Sequence, residues 1–186
     1  MKSYLVKDVM VPLSEYATVS EGATLFEAVL ALEKAQEEFD HTKYRHRGVL
    51  VLDDRQRVIG KLSQLDVLRA LEPKDDDLSQ LRELDRYGFS PRYRRQLRNQ
   101  KRMESSPLED LCRKAAGLKV EDFMQAPAEG EYVEWDVSLE MAIHQLVSGD
   151  HLSLLATRGE AIVGILRLTD VFAAVFHAMK ECDIMP

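Results

Sequence analysis

The feature that most constrains this chain is an internal repeat, in which one pattern of residues occurs twice in the same order. Residues 7–11 match residues 121–125, and residues 58–62 match residues 162–166. Between these blocks, both copies carry apolar residues at the spacing of an amphipathic helix. Neither copy is long enough to bury its own sheet and helices well, so the repeat predicts two similar units packed together with pseudo-two-fold symmetry.

Each copy predicts the element order β-α-β-β-α. In the first copy a short strand at 17–19 precedes a helix that begins at a capping box, Thr24-Leu-Phe-Glu27. Two apolar, β-branched runs then predict a hairpin, which is followed by a helix at about 64–71. The corresponding elements of the second copy are a helix at 138–147, strands at 152–156 and 162–166, and a helix at about 169–180. The sequence therefore predicts an α/β (α+β) fold built from two such units.

The chain divides into three regions on this interpretation. The first copy spans residues 1–71, with an insertion at about 37–47, and the second copy spans residues 118–186. The region between them, 72–117, is a charged and Arg-rich helical linker, with eight Lys and Arg residues between positions 82 and 102. We favour a solvated helical hairpin that packs on the two copies. The alternative is a surface that binds RNA, DNA or an acidic protein.

Two motifs recur in both copies and carry a family resemblance. The openings are Val6-Lys-Asp-Val-Met10-Val-Pro12 and Val120-Glu-Asp-Phe-Met124-Gln-Ala-Pro127. The endings are Gly60-Lys-Leu-Ser63-Gln-Leu-Asp66 and Gly164-Ile-Leu-Arg167-Leu-Thr-Asp170. Found in order in both copies, they resemble the CBS domain, which is named after cystathionine β-synthase and occurs in tandem pairs called Bateman modules.

The resemblance implies a regulatory protein without catalytic activity. Members of the family commonly bind AMP, ADP, ATP or S-adenosylmethionine in clefts between the paired domains, and their pairs usually form homodimers through their helices. We therefore expect an adenine nucleotide as the regulatory ligand, a homodimer formed through the helices at 67–71 and 171–175, and another polypeptide as the regulated partner. The alternative function is a ligand-free dimerisation scaffold whose basic linker binds nucleic acid or an acidic protein.

The resemblance also assigns ligand-binding roles to residues of the first copy. Asp66, at the start of a helix, would accept the hydrogens of ribose hydroxyls, and Ser63 would donate to a phosphate near the helix N-terminus. Arg47 would pair with a phosphate, and Gly48 would allow a close backbone approach. A helix N-cap with an acidic residue in the first turn explains Ser63 and Asp66 without any ligand.

The second copy departs from this pattern at one position. Arg167 stands where the hydroxyl is expected, while Asp170 is retained. Arg167 either pairs with a phosphate or fills the cleft and leaves it empty. Pro12 and Pro127 carry a similar alternative, since each either shapes an adenine pocket or fixes an extended turn.

Composition limits the remaining function classes. With 32 acidic and 25 basic side chains the chain has a formal net charge of −7, which argues against a surface built as a whole to bind nucleic acid. Its two cysteines lie far apart, so we expect reduced thiols in the cytoplasm, and no apolar run approaches the length of a membrane span. The sequence contains no nucleophile elbow, P-loop, zinc motif or dinucleotide fingerprint, which argues against an enzyme.

The insertion at 37–47 raises the question of a metal site, because it contains His41 and His46. Their spacing does not fit a helical pair of ligands, and no cysteine lies near them. We therefore expect a solvated loop without a metal.

Overall fold

The structure, a computed structural model, describes residues 4–38, 45–72, 89–93, 95–96 and 107–181. The elements of the first copy are α1 (Val6–Val9), β1 (Val11–Pro12), β2 (Thr18–Ser20), α2 (Leu25–Glu38), β3 (Gly48–Leu52), β4 (Val58–Ser63) and α3 (Gln64–Leu71). Helix α4 (Leu108–Ala116) precedes the second copy, whose elements are β5 (Tyr132–Glu134), α5 (Leu139–Gly149), β6 (Ser153–Arg158), β7 (Ala161–Arg167) and α6 (Leu168–Glu181). The predicted α/β fold is confirmed.

Local sequence signals explain where the helices begin. At α2, the backbone N–H of Thr24 donates to Glu27 Oε2 at 2.7 Å, and the N–H of Glu27 donates to Thr24 Oγ1 at 3.2 Å, so the predicted capping box is present. Ser138 caps α5 in a similar way, because its hydroxyl accepts from the N–H of Met141. The apolar face of α2 is buried at Leu25 and Ala28.

The two copies form sheets of the same topology. In the first sheet the order is β2-β3-β4, with β2 parallel to β3 and β3 antiparallel to β4. In the second sheet β5, β6 and β7 repeat this arrangement, and β1 is added beyond β7. Both predicted hairpins are therefore confirmed, each paired with a parallel edge strand.

The opening segment of each copy lies on the sheet of the other copy. Val11 in β1 pairs antiparallel with Ile165 in β7, which belongs to the second copy. At the matching place in the repeat, Gln125 pairs with Lys61 in β4 through two backbone hydrogen bonds of 2.8 and 2.9 Å. The two copies are thus joined by a reciprocal exchange, which the sequence did not predict.

The buried core of each copy also includes residues from the opening segment of the other copy. The cluster on the second sheet includes Val6 from the first opening, and the cluster on the first sheet includes Val120 from the second. A third cluster connects the two sheets and consists of Val11, Leu50, Leu155 and Ile165. Each copy therefore completes its hydrophobic core with residues of its partner copy, as the small size of each unit requires.

Much of the linker lies outside the described residues. Within the predicted helical linker at 72–117, residues 91–93 and 95–96 are helical, whereas residues 73–88, 94 and 97–106 lie outside the described residues. Helix α4, near the end of the linker, was not predicted individually. Over the described ranges, no helix has the length and apolar character needed to cross a membrane.

Candidate ligand-binding site

The capping box at α3 brings Ser63 and Asp66 together. The N–H and hydroxyl of Ser63 donate to Asp66 Oδ2 at 2.8 and 2.6 Å, and the N–H of Asp66 donates to Ser63 Oγ at 3.2 Å. The N-cap arrangement is therefore present in full. It uses only one oxygen of the carboxylate.

The second oxygen of Asp66 is held by two other side chains. Asp66 Oδ1 accepts from Arg69 Nη1 at 2.7 Å and from Gln125 Nε2 at 2.8 Å. Asp66 is only 2% exposed, whereas the Arg69 side chain is 57% exposed and Gln125 is an exposed residue of the second copy's opening. The carboxylate is thus a buried anion whose donors at Oδ1 come from the surface, one of them from the other copy.

These contacts determine the charge state of Asp66. Burial alone would raise the pKa of its carboxyl group, but hydrogen bonds from Ser63 and Gln125 and the charge of Arg69 hold that pKa below its usual value. The group is therefore ionised at neutral pH and can accept hydrogen bonds at both oxygens.

The equivalent carboxylate of the second copy has a different partner. Arg167 binds Asp170 through two hydrogen bonds, Nε to Oδ2 at 2.5 Å and Nη2 to Oδ1 at 2.6 Å. Arg167 is only 6% exposed, so this is a buried bidentate ion pair. Of the two alternatives for Arg167, the geometry corresponds to a guanidinium that fills the space beside Asp170.

Two residues of the first copy, His46 and Tyr16, lie beside Arg167. Its Nη1 lies 3.3 Å from Nδ1 of His46, and since a guanidinium only donates, Nδ1 is the acceptor. His46 in turn meets the Tyr16 ring edge-on, with ring centroids 4.5 Å apart. Burial and the neighbouring Arg167 lower the pKa of His46 to about 4, and burial raises the pKa of Tyr16 to about 12. Both side chains are therefore neutral at pH 7.

The expectation of a solvated histidine loop is wrong for His46. The residue is fully buried at 0% exposure, and its carbonyl accepts a hydrogen bond from Gln36 Nε2 at 2.9 Å. It is buried because the second copy lies against it, a contact that spacing along the chain does not indicate. His41 lies outside the described residues, and the described part of the chain contains no group of three or more His, Cys, Asp or Glu residues that could hold a metal ion.

The other predicted site residues are Arg47, Gly48, Pro12 and Pro127, of which Gly48 and Pro12 lie in strands. The carbonyl of Arg47 accepts from the N–H of Gln64 at the start of α3, and Arg47 itself is exposed. Gly48 approaches β4 closely, since a Cβ atom there would lie 2.6 Å from the carbonyl oxygen of Leu62. Pro12 is half-buried in β1 opposite Gly164, and Pro127 is half-buried between Gln125 and the 3₁₀ turn at Glu129–Glu131.

The motif glycines accommodate the exchanged openings. A Cβ atom at Gly164 would lie 2.5 Å from the carbonyl oxygen of Val11, and one at Gly60 would overlap the side chain of Met124. The two glycines occupy matching places in the repeat, and each faces the opening of the opposite copy. Sequence reasoning assigned them to a ligand motif and missed this packing role.

A separate open groove of about 500 Å³ lies between α5 and β5. Its lining includes Gly130, Tyr132, Met141, His144 and His151. Gln145 spans part of it, because its amide donates to the carbonyls of Gly130 and Tyr132 at 2.8 and 2.7 Å. None of the predicted site residues lines this groove.

Comparison with known proteins relates the first copy to a family and the whole chain to a fold. The CBS domain family model matches residues 6–73. No curated protein matches the chain in sequence. A CBS domain-containing protein of unknown function from Bacillus anthracis str. Ames Ancestor is similar in structure, with a TM-score of 0.61, 18% identity, and 94% of each chain covered.

Two structures of the protein CBSX2 are also similar. The CBS-pair protein CBSX2 from Arabidopsis thaliana gives a TM-score of 0.60 at 20% identity, with 96% of this chain and 99% of that chain covered. CBSX2 in complex with AMP gives 0.56 at 21% identity, with 94% and 98% covered. At these identities the likeness establishes the fold.

Proposed function

We propose that this chain, whose residues 6–73 form a CBS domain within the fold of CBS-pair proteins, is a regulatory module that binds an adenine nucleotide beside Asp66. The observation that carries the proposal is the buried, ionised carboxylate of Asp66, whose Oδ1 is held by donors from two exposed side chains. A ligand with two adjacent hydroxyl groups can replace both donors and leave the cap formed by Ser63 intact.

The ribose of a nucleotide has this arrangement of donors. When it binds, Arg69 and Gln125 return to water at little cost, because both are already exposed at the surface. The released Arg69, the exposed Arg47 and the N-terminus of α3 then supply positive charge for a phosphate. The AMP complex of CBSX2 supports AMP as the first candidate, with ADP, ATP and S-adenosylmethionine as the others.

The position of Gln125 provides a route for signalling. Gln125 belongs to the opening of the second copy, and its backbone pairs with Lys61 on the first sheet. A ligand that displaces its side chain from Asp66 changes a contact between the copies. A regulated polypeptide that binds the two arrangements with different affinity would detect this change. The role is regulatory rather than catalytic, and the low cysteine content favours the cytoplasm.

Nucleotide binding is tested by calorimetric titration with AMP, ADP, ATP and S-adenosylmethionine. Asp66→Asn should weaken binding of the preferred nucleotide by about 10- to 100-fold, because a charge-assisted hydrogen bond contributes about 1.5–3 kcal/mol. Asp54→Asn is the matched control, since it removes the same charge from an exposed turn of the same copy. Equal affinities for the two variants would contradict the proposal.

The helix surfaces support a homodimer. The helices that follow the two hairpins, α3 and α6, expose apolar side chains at matching places in the repeat, with Leu68 58% and Phe172 64% exposed. Leu65, Phe176 and Met179 extend this surface. We infer that these helix faces contact the same faces of another subunit in a homodimer. The same faces favour the second candidate function, a dimerisation scaffold, if no nucleotide binds.

A further inference from the structure

The two carboxylates of the repeat differ in their donors, because Arg167 holds both oxygens of Asp170 whereas exposed side chains hold Oδ1 of Asp66. We propose that the guanidinium group of Arg167 acts as a permanent internal ligand of Asp170, so that the chain binds nucleotide beside Asp66 only. The count of one nucleotide per chain rests on the proposed function, whereas the internal ligand rests on the geometry of Arg167 alone.

The repeat allows a direct comparison of the two carboxylates. Both begin the helix that follows a hairpin, and both accept hydrogen bonds at both oxygens. At Asp66 the donors come from three residues, and the two at Oδ1 belong to exposed side chains. At Asp170 one guanidinium holds both oxygens, and that side chain is only 7% exposed. The donors at Asp66 are therefore exchangeable, whereas the donor at Asp170 is enclosed.

Displacement of Arg167 by a nucleotide is unfavourable for an electrostatic reason. A ribose that took the oxygens of Asp170 would leave a buried guanidinium without its carboxylate, and an uncompensated buried charge is strongly destabilising. The surface donors at Asp66 face no such penalty, since water solvates them when they are released. The same kind of ligand therefore binds at one carboxylate and is excluded at the other.

Contacts from the first copy hold the guanidinium from its other side. The third nitrogen of the group, Nη1, faces Nδ1 of His46, and the Tyr16 ring packs against that imidazole. Because His46 is neutral at pH 7, it accepts from Arg167 without repelling it. The internal ligand is thus enclosed by residues of both copies, as a ligand bound between the copies would be.

The first test uses the unmodified protein and nuclear magnetic resonance. The Nε–H signal of Arg167, assigned by its absence in Arg167→Ser, should exchange slowly with water and remain unchanged when AMP is added to saturation. The Nε–H of Arg69 should exchange rapidly. An Arg167 signal that exchanges as fast as that of Arg69, or that shifts on AMP binding as the pair with Asp170 opens, would overturn the inference.

The second test is chemical rescue of Arg167→Ala. Millimolar guanidinium chloride should raise its melting temperature by several degrees, because the free ion refills the vacated site beside Asp170. Arg69→Ala is the matched control and should gain nothing, because the lost side chain is exposed and Asp66 keeps its hydrogen bonds from Ser63 and Gln125. Sodium chloride at equal ionic strength should not replace guanidinium. If Arg167→Ala is too unstable to purify, Arg167→Ser is used instead, because the first copy has a serine, Ser63, at the matching position.

The outcomes separate this inference from the proposed function. Rescue by guanidinium without any AMP binding would support the internal ligand and contradict the nucleotide proposal. Binding of two AMP molecules per unmodified chain would support nucleotide binding and overturn the internal ligand. Binding of one AMP to the unmodified chain and two to Arg167→Ser would support both. If guanidinium stabilises neither Arg167→Ala nor Arg167→Ser, the inference is overturned, whether or not AMP binds.

Discussion

The buried imidazole of His46 should make this protein less stable as the pH is lowered from 6.5 to 4. In the folded state its pKa is lowered from 6.5 to about 4, first by burial and then by the charge of Arg167. The unfolded chain therefore binds a proton between pH 6.5 and 4 that the folded chain does not bind. Acidification over this range favours unfolding, and the shift corresponds to about 3 kcal/mol of lost stability.

The assay compares the free energy of unfolding in urea at several pH values for the unmodified protein and His46→Gln. The glutamine carbonyl can still accept from Arg167 but does not titrate, so the stability difference between the two proteins should change by about 3 kcal/mol between pH 6.5 and 4. Asp170 and the backbone of Glu15, which also act on His46, are the same in both proteins. His144→Gln, at an exposed position, is the control for replacing an imidazole with an amide. A stability difference that stays constant across this range would show that His46 has the same pKa in the folded and unfolded chains.

Two further predictions follow from the exchanged openings and from the helix faces. Gly164→Ala should destabilise the protein by about 1–3 kcal/mol in urea unfolding, and Gly60→Ala by less, because the first clashes with the rigid backbone of Val11 and the second with the flexible side chain of Met124; equal losses would contradict this packing. Light scattering should give twice the chain mass of 21.2 kDa, and the double substitution Leu68→Asp and Phe172→Asp should reduce it to the monomer mass, whereas Asp substitution at the exposed Val147 on α5 should not. A monomer before substitution would contradict the dimer.

The parts of the fold that could be predicted are those with local causes. The capping box at Thr24 and the two apolar runs of each hairpin depend on residues within a few positions of one another, so the sequence alone indicates them. The repeat then predicts that the same elements occur twice. Strand β1 was not predicted, because two residues carry no periodicity and their partner, β7, is more than a hundred positions away.

At the candidate site, too, only the contacts between residues close in sequence could be predicted. The capping contacts of Ser63 and Asp66 were one of the two interpretations at the outset, since both residues lie in one turn. The contact from Gln125 was missed because it comes from the opening of the other copy. His46 was predicted to lie in a solvated loop because its spacing from His41 does not fit a metal site, whereas the structure buries it against Arg167 of the second copy. Contacts between the two copies could not be predicted, because their residues are far apart in the sequence.

We expect one carboxylate of the repeat, that of Asp66, to bind a nucleotide and the other, that of Asp170, to be occupied by Arg167. A crystal structure of the protein grown with AMP tests it most directly. We expect one AMP per chain, with its ribose on Asp66, the side chains of Arg69 and Gln125 turned away from Oδ1, and Arg167 still paired with Asp170. A nucleotide bound to Asp170, or Asp66 still held by Arg69 and Gln125 at saturating AMP, would contradict it.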